Sequence, residues 1–527
     1  MNTTRLAGAR WLWLLMVAVI MPGWMLHVSS AAANQGGSVW NETKRGPATV
    51  IERGANGDET LAFLSYGDEA GEASGLHVSS EELAAWRERW DDPSATSDAF
   101  LEARIEEERQ RVSHNRNSFV SDPSTWPMDP NVSKDSGGCY SAEPKMQPQR
   151  YQSARSRDAA LYGLINADPD ALEPVRSHLV AQAQRADLDF SQPPWCPLND
   201  RMKQINIMFP VTHAMMTTLF AYDYYNVAVA EGIVADMTPS EHAMLREWFI
   251  DYAEFLMPSM DYFMGHAFVD RLNGDYTLSG SYTDPNFVWG NGHIYQGGPQ
   301  NHRSHRLFTN PYFGSARYLA NVGVMFDNST FKDRAHRAGT DWVRYHLYPE
   351  GVTSDGHRGW SDAWGFHQYG TLGGTYAIII ADVLARDGDT RLYDYETTAG
   401  VHDSAGAPPS EYGGKKSLLF FVQSMARHGN NTFERYNGAG EQLNFRTGST
   451  GNAGNHDRFI LANMYYQDNG LSRDWYRGTN GQPQWVMPRN ARGAKGGGTD
   501  LNGNWSFAAP YLQWAGLEGQ VSPYPPK

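Results

Sequence analysis

From about residue 153 onward, the chain consists of segments with the apolar periodicity of an α-helix, separated by loops rich in Gly, Asn and Trp. The clearest helix start is Thr238-Pro239-Ser240-Glu241, where proline takes the first helical position and glutamate the third. Apolar residues then recur every three or four positions, which gives the helix one face to bury. Because such a face needs neighbours that cover it, the pattern predicts a fold of packed helices.

Further helices are predicted along the whole of this region. The segment 376–384, which contains Ile378-Ile379-Ile380, is apolar on more than one side, as expected of a helix that neighbours surround. Paired helices joined by such loops are typical of an (α/α) toroid, whose loops at one rim carry the functional site. The predicted fold class is therefore all-α dominated, a toroid of paired helices with long rim loops. Besides the helix that starts at Thr238, the predicted helices cover 156–166, 170–186, 204–231, 311–327, 330–346, 371–386, 414–427 and 456–466.

The first 33 residues have the three parts of a secretory signal peptide. Arg5 and Arg10 precede an apolar stretch over 11–26, and small residues lead up to a cleavage site after Ala33. The apolar stretch is interrupted by Pro22-Gly23 and is short for a membrane span. We therefore expect a periplasmic or secreted protein without stable membrane insertion after signal cleavage.

The rest of the chain divides into three predicted parts. Residues 34–150 are predicted to form an N-terminal arm with one or two helices and a long loop, and the first helix begins at the capping box Ser79-Ser80-Glu81-Glu82. Residues 151–470 are predicted to form the toroid, which we expect to be the catalytic domain. Residues 471–527 are rich in Gly, Asn and Trp, and we expect a loop-rich extension packed on the toroid.

The net charge of −15 limits the classes of ligand. A nucleic-acid-binding protein needs a basic surface for phosphate contacts, and the chain has no basic stripe of this kind, so no nucleic-acid partner is expected. Hydrophobic residues make up 41% of the chain and aromatic residues 13%, enough for a large core. An acidic enzyme that acts on a polyanion has to concentrate positive charge locally in its cleft.

Three fragments carry the candidate chemistry: Gln300-Asn301-His302, Arg358 and Phe366-His367-Gln368-Tyr369. In their order, and in the helical interval between them, they resemble the alginate lyases, which cleave poly(β-D-mannuronate) and are built on an incomplete helical toroid. That family carries an Asn-Asn-His loop, a helix pair and a Tyr-His-Asn-Tyr segment preceded by an arginine. The resemblance is closest over 290–390 and implies an incomplete toroid. It also implies a carbon–oxygen lyase that acts on an acidic polysaccharide, alginate, preferentially in its mannuronate blocks.

The chemistry of β-elimination explains the residue types. The enzyme removes the C5 proton beside a carboxylate, so groups that neutralise the carboxylate must stabilise the charge that develops. The resemblance implies that Asn301, His302 and Arg358 have this role, through amide hydrogens, a ring N–H and a planar guanidinium. It makes Tyr369 the base and also the acid that protonates the leaving oxygen, with His302 or His367 as the alternative base. A phenol with a pKa of about 10 needs a positive neighbour such as Arg358 for this task.

Residues near these motifs are candidates for substrate binding. Pyranose rings have apolar faces that suit tryptophan, and a lysine suits a distant substrate carboxylate. Each position also has a structural alternative, since Asn301-His302 could cap the helix near Pro311 and isolated aromatics are often packing residues. The candidates are His357, His367, Gln368, Arg303, Trp289, Trp360, Trp364 and Lys203.

A metal site is an alternative interpretation of the histidines. The spacing of His302 and His305 suits one helical face, and His357, His367 and Asp362 follow. The chain has no His-Glu-x-x-His motif, and the resemblance accounts for the same residues without a metal. We therefore expect neither a metal nor another cofactor.

Three other functions stay open. Mannuronate and glucuronate differ only at C2, so a glucuronan lyase needs the same groups. A toroid glycoside hydrolase would use a carboxylate pair, for which Asp355 with Asp362 or Glu350 is available. A non-catalytic polysaccharide-binding protein would use the same tryptophans.

The two cysteines, Cys139 and Cys196, lie in loops that contain Pro and Gly. In an exported protein we expect a disulfide between them, with two free thiols as the alternative. Mass spectrometry of the unreduced, alkylated protein should then find no alkylated thiol. Reduction should lower the free energy of unfolding by about 3–4 kcal/mol in the chain-entropy model. Two alkylated thiols in the exported form would contradict the prediction.

Overall fold

Helices make up most of the chain that the computed structural model describes. The described residues are 50–53, 59–62, 75–95, 99–121, 138, 147–191, 201–262, 310–343, 347, 363–396, 416–428, 433–436, 442–445 and 460–466. All belong to the unit Arg45–Lys527. The predicted signal peptide, both cysteines and the predicted C-terminal extension lie outside the described residues. Among the described helices, none combines the length and apolar character of a membrane span.

Twelve α-helices and two β-hairpins form the described part of the chain. The hairpins pair β1 (Val50–Arg53) with β2 (Glu59–Ala62) and β3 (Phe433–Tyr436) with β4 (Gln442–Phe445), both antiparallel. The periodicity did not predict these strands, because each has only four residues. The helices are α1 (Ser80–Asp91), α2 (Ala99–Asn117), α3 (Gln147–Asn166), α4 (Pro169–Ala183), α5 (Arg201–Ala230), α6 (Pro239–Tyr262), α7 (Asn310–Met325), α8 (Ser329–Asp341), α9 (Ala363–Arg386), α10 (Arg391–Asp394), α11 (Leu418–His428) and α12 (Ile460–Tyr465).

Both predicted helix starts are confirmed by their hydrogen bonds. At α1, the Glu82 amide donates to Ser79 Oγ at 3.2 Å and the Ser79 amide donates to Glu82 Oε2 at 2.8 Å. At α6, the Glu241 amide donates to Thr238 Oγ1 at 3.3 Å and the Thr238 amide donates to Glu241 Oε2 at 2.7 Å. Each pair satisfies two backbone donors that the first helical turn leaves without partners.

The start of α9 differs from the prediction. The helix begins at Ala363, whereas the periodicity placed its start at 371, after Gly370. Glycine weakens a helix interior, so sequence alone favoured a break here. Within the predicted part of the helix, a Cβ at Gly374 would collide with the ring of Phe421 on α11. The glycine thus lets α11 approach α9 closely.

The long helices form a buried set and a half-exposed set. In α5, α7 and α9, every residue over 210–228, 311–323 and 373–385 is buried, which confirms that neighbours surround Ile378-Ile379-Ile380. Helices α4, α6 and α8 pack against them and have alternating buried and exposed faces. Short connections link α3 to α4 and α7 to α8, with positive φ at Ala167 and Asp327. The all-α class is therefore observed, as pairs of a buried and an outer helix.

Contacts at two levels show that the buried helices run in the same direction. At the first level, near the middle of each helix, Arg317 of α7 contacts His213 of α5 and the ring of Tyr376 of α9. Further along each helix, Asp223, Asn321 and Asp382 contact one short segment of the chain. In each of the three helices, the residue of the first set precedes the residue of the second set in the chain. Helices α5, α7 and α9 are therefore parallel. The contacts of the second group are made by residues 75–82, which we call the strap.

The strap crosses the C-terminal ends of the three buried helices. The Leu76 amide donates to both carboxylate oxygens of Asp223 at 3.1 Å. His77 contacts Asp382 Oδ2 through Nδ1 at 2.6 Å and Asn321 Oδ1 through Nε2 at 3.2 Å. Both ring nitrogens thus face acceptors, so the contacts are satisfied when both carry a proton. The strap therefore gives polar partners to one residue of each buried helix.

Two further contacts fix the strap. Arg386, in the last turn of α9, donates to both carboxylate oxygens of Glu82 at 2.8 and 3.0 Å and to Asp382 at 3.1 Å. At the other end, a Cβ at Gly75 would lie 2.8 Å from Asp223 Oδ2 and 2.9 Å from Val227 Cγ2. Only a glycine permits the backbone to approach α5 this closely.

We expect Asp223 to make stability depend on pH. Burial raises the pKa of Asp223 to about 7, while the Leu76 amide and Arg386 act in the opposite direction. Because the folded state holds this proton more tightly than the unfolded chain, the stabilisation is complete below the unfolded pKa of about 4. It is lost as the pH rises through about 7. Replacing Asp223 by Asn removes this titration.

Urea unfolding at several pH values tests this expectation. The free energy of unfolding of the wild type minus that of Asp223→Asn should fall between pH ~4 and ~7 and then level off. The matched control is Asp91→Asn, at the exposed end of α1, for which the difference should stay nearly constant. A constant difference for Asp223→Asn as well would contradict the role of this carboxyl group.

Candidate functional site

The predicted site residues that the structure describes fall at one end of the buried helices. Lys203 lies in the first turn of α5, and the run from Trp364 to Tyr369 lies in the first two turns of α9, where the backbone is helical. This end is opposite to the strap. The other predicted residues, Trp289, Asn301, His302, Arg303, His357, Arg358 and Trp360, lie outside the described residues, and the first four precede α7 in the sequence.

The helical backbone corrects the expected setting of Tyr369. We predicted it at the end of a loop, whereas it occupies the second turn of α9. On a helix, residues two positions apart are rotated by about 200°, so positions 367 and 369 are on different faces. Tyr369 shares its face with Tyr376, seven residues or two turns further along. The base and alternative base of the sequence analysis therefore do not occupy equivalent positions.

A cluster of three buried polar residues lies below this end, which we call the central cluster: His213, Arg317 and Tyr376. Each comes from a different buried helix and has at most 1% of its surface exposed. The guanidinium carbon of Arg317 lies 4.3 Å from the centroid of the Tyr376 ring, the geometry of a cation–π contact. Arg317 Nη2 lies 3.2 Å from His213 Nδ1. The cluster therefore joins α5, α7 and α9 at one level.

The contact between Arg317 and His213 fixes the protonation of the imidazole. A guanidinium has donors and no acceptor, so Arg317 Nη2 donates and His213 Nδ1 accepts. His213 is then the neutral tautomer with its proton on Nε2. Burial lowers the pKa of Arg317 to about 10, and Tyr376 acts in the opposite direction. The guanidinium therefore stays charged at neutral pH, and the cluster carries one buried positive charge.

Phe209 connects the central cluster to the N-terminal part of α5. Its ring is half-buried and meets the His213 ring edge-on, with 4.2 Å between the centroids. A Cβ at Gly314 would lie 3.4 Å from the Phe209 ring and 3.8 Å from that of Tyr376. Helix α7 thus comes close to both neighbours just above the cluster.

The central cluster and the strap are linked through α7. The Asn321 side-chain amide donates to the backbone carbonyl of Arg317 at 2.9 Å, which directs the amide oxygen to His77. One turn of α7 therefore connects the central cluster to the polar residues that contact the strap. The predicted site residues belong to the opposite end of the buried helices, above the central cluster.

The central cluster was not predicted, although the sequence contains a usable signal for it. His213 lies in an apolar run from Phe209 to Phe220, and Arg317 lies between Tyr312-Phe313 and Tyr318-Leu319. Ionisable side chains in such surroundings have to be buried with polar or aromatic partners. The partners themselves are on other helices, and no local pattern identifies them.

The described residues contain no group of three or more His, Cys, Asp or Glu that could hold a metal ion. Of the alternative metal ligands, His302, His305, His357 and Asp362 lie outside the described residues, and His367 is described only in its helical backbone. No family model, curated protein or solved structure matched the chain.

Proposed function

We propose that this protein is a polysaccharide lyase that cleaves a 4-linked polyuronate, alginate in its mannuronate blocks, by β-elimination. The observation that carries the proposal is a shared end: the N-terminal turns of three parallel buried helices. Lys203 and Tyr369 belong to two of these turns, and Asn301-His302 precedes the third in the sequence. The proposal places these residues, which are far apart in the chain, at one rim.

The same proposal includes an incomplete (α/α) toroid. It is supported by the alternation of buried and outer helices in chain order, from α3 and α4 through α5 and α6 to α7, α8 and α9. In a toroid of this kind, the buried helices form the inner ring and their equivalent ends face one rim. Loops at that rim, including those with Arg358 and Trp360, would complete the cleft.

Electrostatics favours a polyanionic substrate at this rim. The N-terminus of a helix carries a partial positive charge, and α5, α7 and α9 direct three such ends the same way. Arg317 adds a buried positive charge below them. Together with Lys203, His302 and Arg358, these groups concentrate positive potential locally in a chain whose net charge is −15.

In the proposed reaction, Tyr369 removes the C5 proton while the bond between C4 and the leaving oxygen breaks. Asn301, His302 and Arg358 neutralise the substrate carboxylate, so that the charge developing beside it is stabilised. In β-D-mannuronate the C5 proton and the leaving oxygen lie on the same face of the ring. The proton taken by Tyr369 can therefore be returned to the leaving oxygen, and the products are an unsaturated uronate and a shortened chain.

An ultraviolet assay of the purified protein tests the proposal, because the unsaturated uronate absorbs and a saturated sugar end does not. The substrates are alginate, polymannuronate, polyguluronate, glucuronan and hyaluronan. We expect absorbance to rise fastest on polymannuronate. Cleavage without a rise in absorbance would indicate a hydrolase. Binding of the polymer without loss of its viscosity would indicate a non-catalytic protein. A faster reaction on glucuronan than on polymannuronate would indicate a glucuronan lyase.

Replacement of Tyr369 by Phe removes only the hydroxyl group. If this group acts as base and acid, elimination should fall by more than the roughly 10²–10⁴-fold that is usual for one acid–base group. The free energy of unfolding should stay close to that of the wild type. Tyr162→Phe is the matched control, since its ring lies on α3 beside Trp90. If Tyr369→Phe retains more than about a tenth of wild-type activity, Tyr369 is not the base, and His302 becomes the candidate for this role.

Methyl esterification of the uronate separates the two roles. The ester is already neutral and its C5 proton is more acidic, so a residue that neutralises the carboxylate has less effect on it. Arg358→Ala should therefore lower kcat/KM far more on the free acid than on the ester, while Tyr369→Phe lowers it on both. Equal losses on acid and ester for Arg358→Ala would make this arginine structural and leave Asn301, His302 and Arg303 as neutralisers.

A further inference from the structure

The first turns of α9 depend on contacts outside their own backbone. Between Tyr369 and Tyr376 the helix contains Gly370, Gly373 and Gly374. Each glycine destabilises a helix interior relative to alanine, because it loses more backbone freedom on folding. The part of α9 that contains Tyr369 is therefore held in place by its attachment to the rest of the fold.

The central cluster is one of two attachments close to the glycines. Tyr376 is the second residue after Gly374, and the Arg317 guanidinium lies 4.3 Å from its ring centroid. The same guanidinium donates to His213 on α5. On the opposite side, Phe421 of α11 fills the space at Gly374 and meets Trp342 edge-on, with 4.9 Å between the ring centroids. The helix is thus fixed from two sides directly after its glycine-rich turn.

An arginine at this place is an unusual choice if packing alone matters. Removal of a guanidinium from water is costly, and an apolar side chain of similar volume is often neutral or stabilising at such a position. The guanidinium adds direction, because its planar fork stacks on one ring and donates to one nitrogen at the same time. It therefore sets the rotation and height of α9 relative to α5 and α7.

We propose that Arg317 is a positioning residue that, through Tyr376 and His213, fixes the N-terminal turns of α9 and with them Tyr369. Arg317 is fully buried, so it acts on the reaction through α9. The effect on catalysis rests on the proposed lyase function, whereas the effect on the position of residue 369 does not. Two readouts can therefore be measured separately.

The first readout is steady-state kinetics on polymannuronate. Arg317→Met keeps an apolar side chain of similar length without charge or fork, and it should lower kcat by about 10- to 100-fold with KM within about twofold. Arg317→Lys keeps a cation that can both lie over the Tyr376 ring and donate to His213 Nδ1, so it should recover most of kcat. Arg176→Met is the matched control, because Arg176 also joins two helices, donating to Glu241 at 2.8 Å, but far from α9. It should leave kcat unchanged.

The second readout needs no activity. With 3-fluorotyrosine at position 369, we expect one narrow ¹⁹F resonance in the otherwise unchanged protein, in Arg317→Lys and in Arg176→Met. In Arg317→Met the resonance should broaden or split, because the turns that contain residue 369 take several positions. If Arg317→Met does not fold, Tyr376→Leu removes the same contact from the α9 side, and the same results are expected.

The outcomes distinguish this inference from the proposed function. A changed ¹⁹F resonance in a protein without activity on any polyuronate would uphold the positioning role and reject the lyase. Normal kcat and an unchanged resonance in Arg317→Met, with only a lower melting temperature, would make Arg317 a purely structural residue and overturn the inference. Equal loss of kcat in Arg317→Lys and Arg317→Met with an unchanged resonance would overturn it as well.

Discussion

The seating of the strap on the buried helices is the interaction on which the described fold depends. Asp223, Asn321 and Asp382 are polar groups without access to water, and each would be costly to bury without a partner. The Leu76 amide and the two ring nitrogens of His77 supply those partners. Because one short segment serves three helices, it also fixes their relative heights, and this determines how their opposite ends meet.

Charge balance explains why this network can be buried. Arg386 and the ring of His77 face the carboxylates of Asp382 and Glu82, so basic side chains are buried beside acidic ones. Buried ion pairs contribute little net stability, but loss of a single partner leaves an uncompensated charge. The network therefore favours one arrangement of α1, α7 and α9 over alternatives that apolar packing alone would tolerate.

The two ends of the buried helices have different chemistry for a physical reason. The C-terminal end is covered by the strap, and its polar groups bind one another. At the N-terminal end, helix dipoles and Arg317 give positive potential, which suits an anionic ligand. In the proposed function, this local potential attracts the polyuronate to an otherwise acidic protein. The proposed lyase site lies at the N-terminal turns of the buried helices, and the central cluster lies below it on the same helices.

The sequence by itself determined where α1 and α6 start and that the segment around Ile378 is buried. Ser79 and Thr238 cap α1 and α6 because capping is a local interaction within four residues, and the apolar run at Ile378 marks a surrounded helix because burial depends on composition. The residue types for β-elimination could likewise be read from the chain, and their assignment to Tyr369, Asn301, His302 and Arg358 stays a prediction.

Only the tertiary structure decided how distant residues combine. His77 and Asp382 are 305 positions apart, and Arg317 and His213 are 104 positions apart, so no local pattern indicates these contacts. The prediction began α9 at 371, after a glycine that weakens a helix, whereas the helix begins at Ala363. Local rules also cannot supply the contacts of α9 with Phe421 and Arg317, because these residues come from other helices.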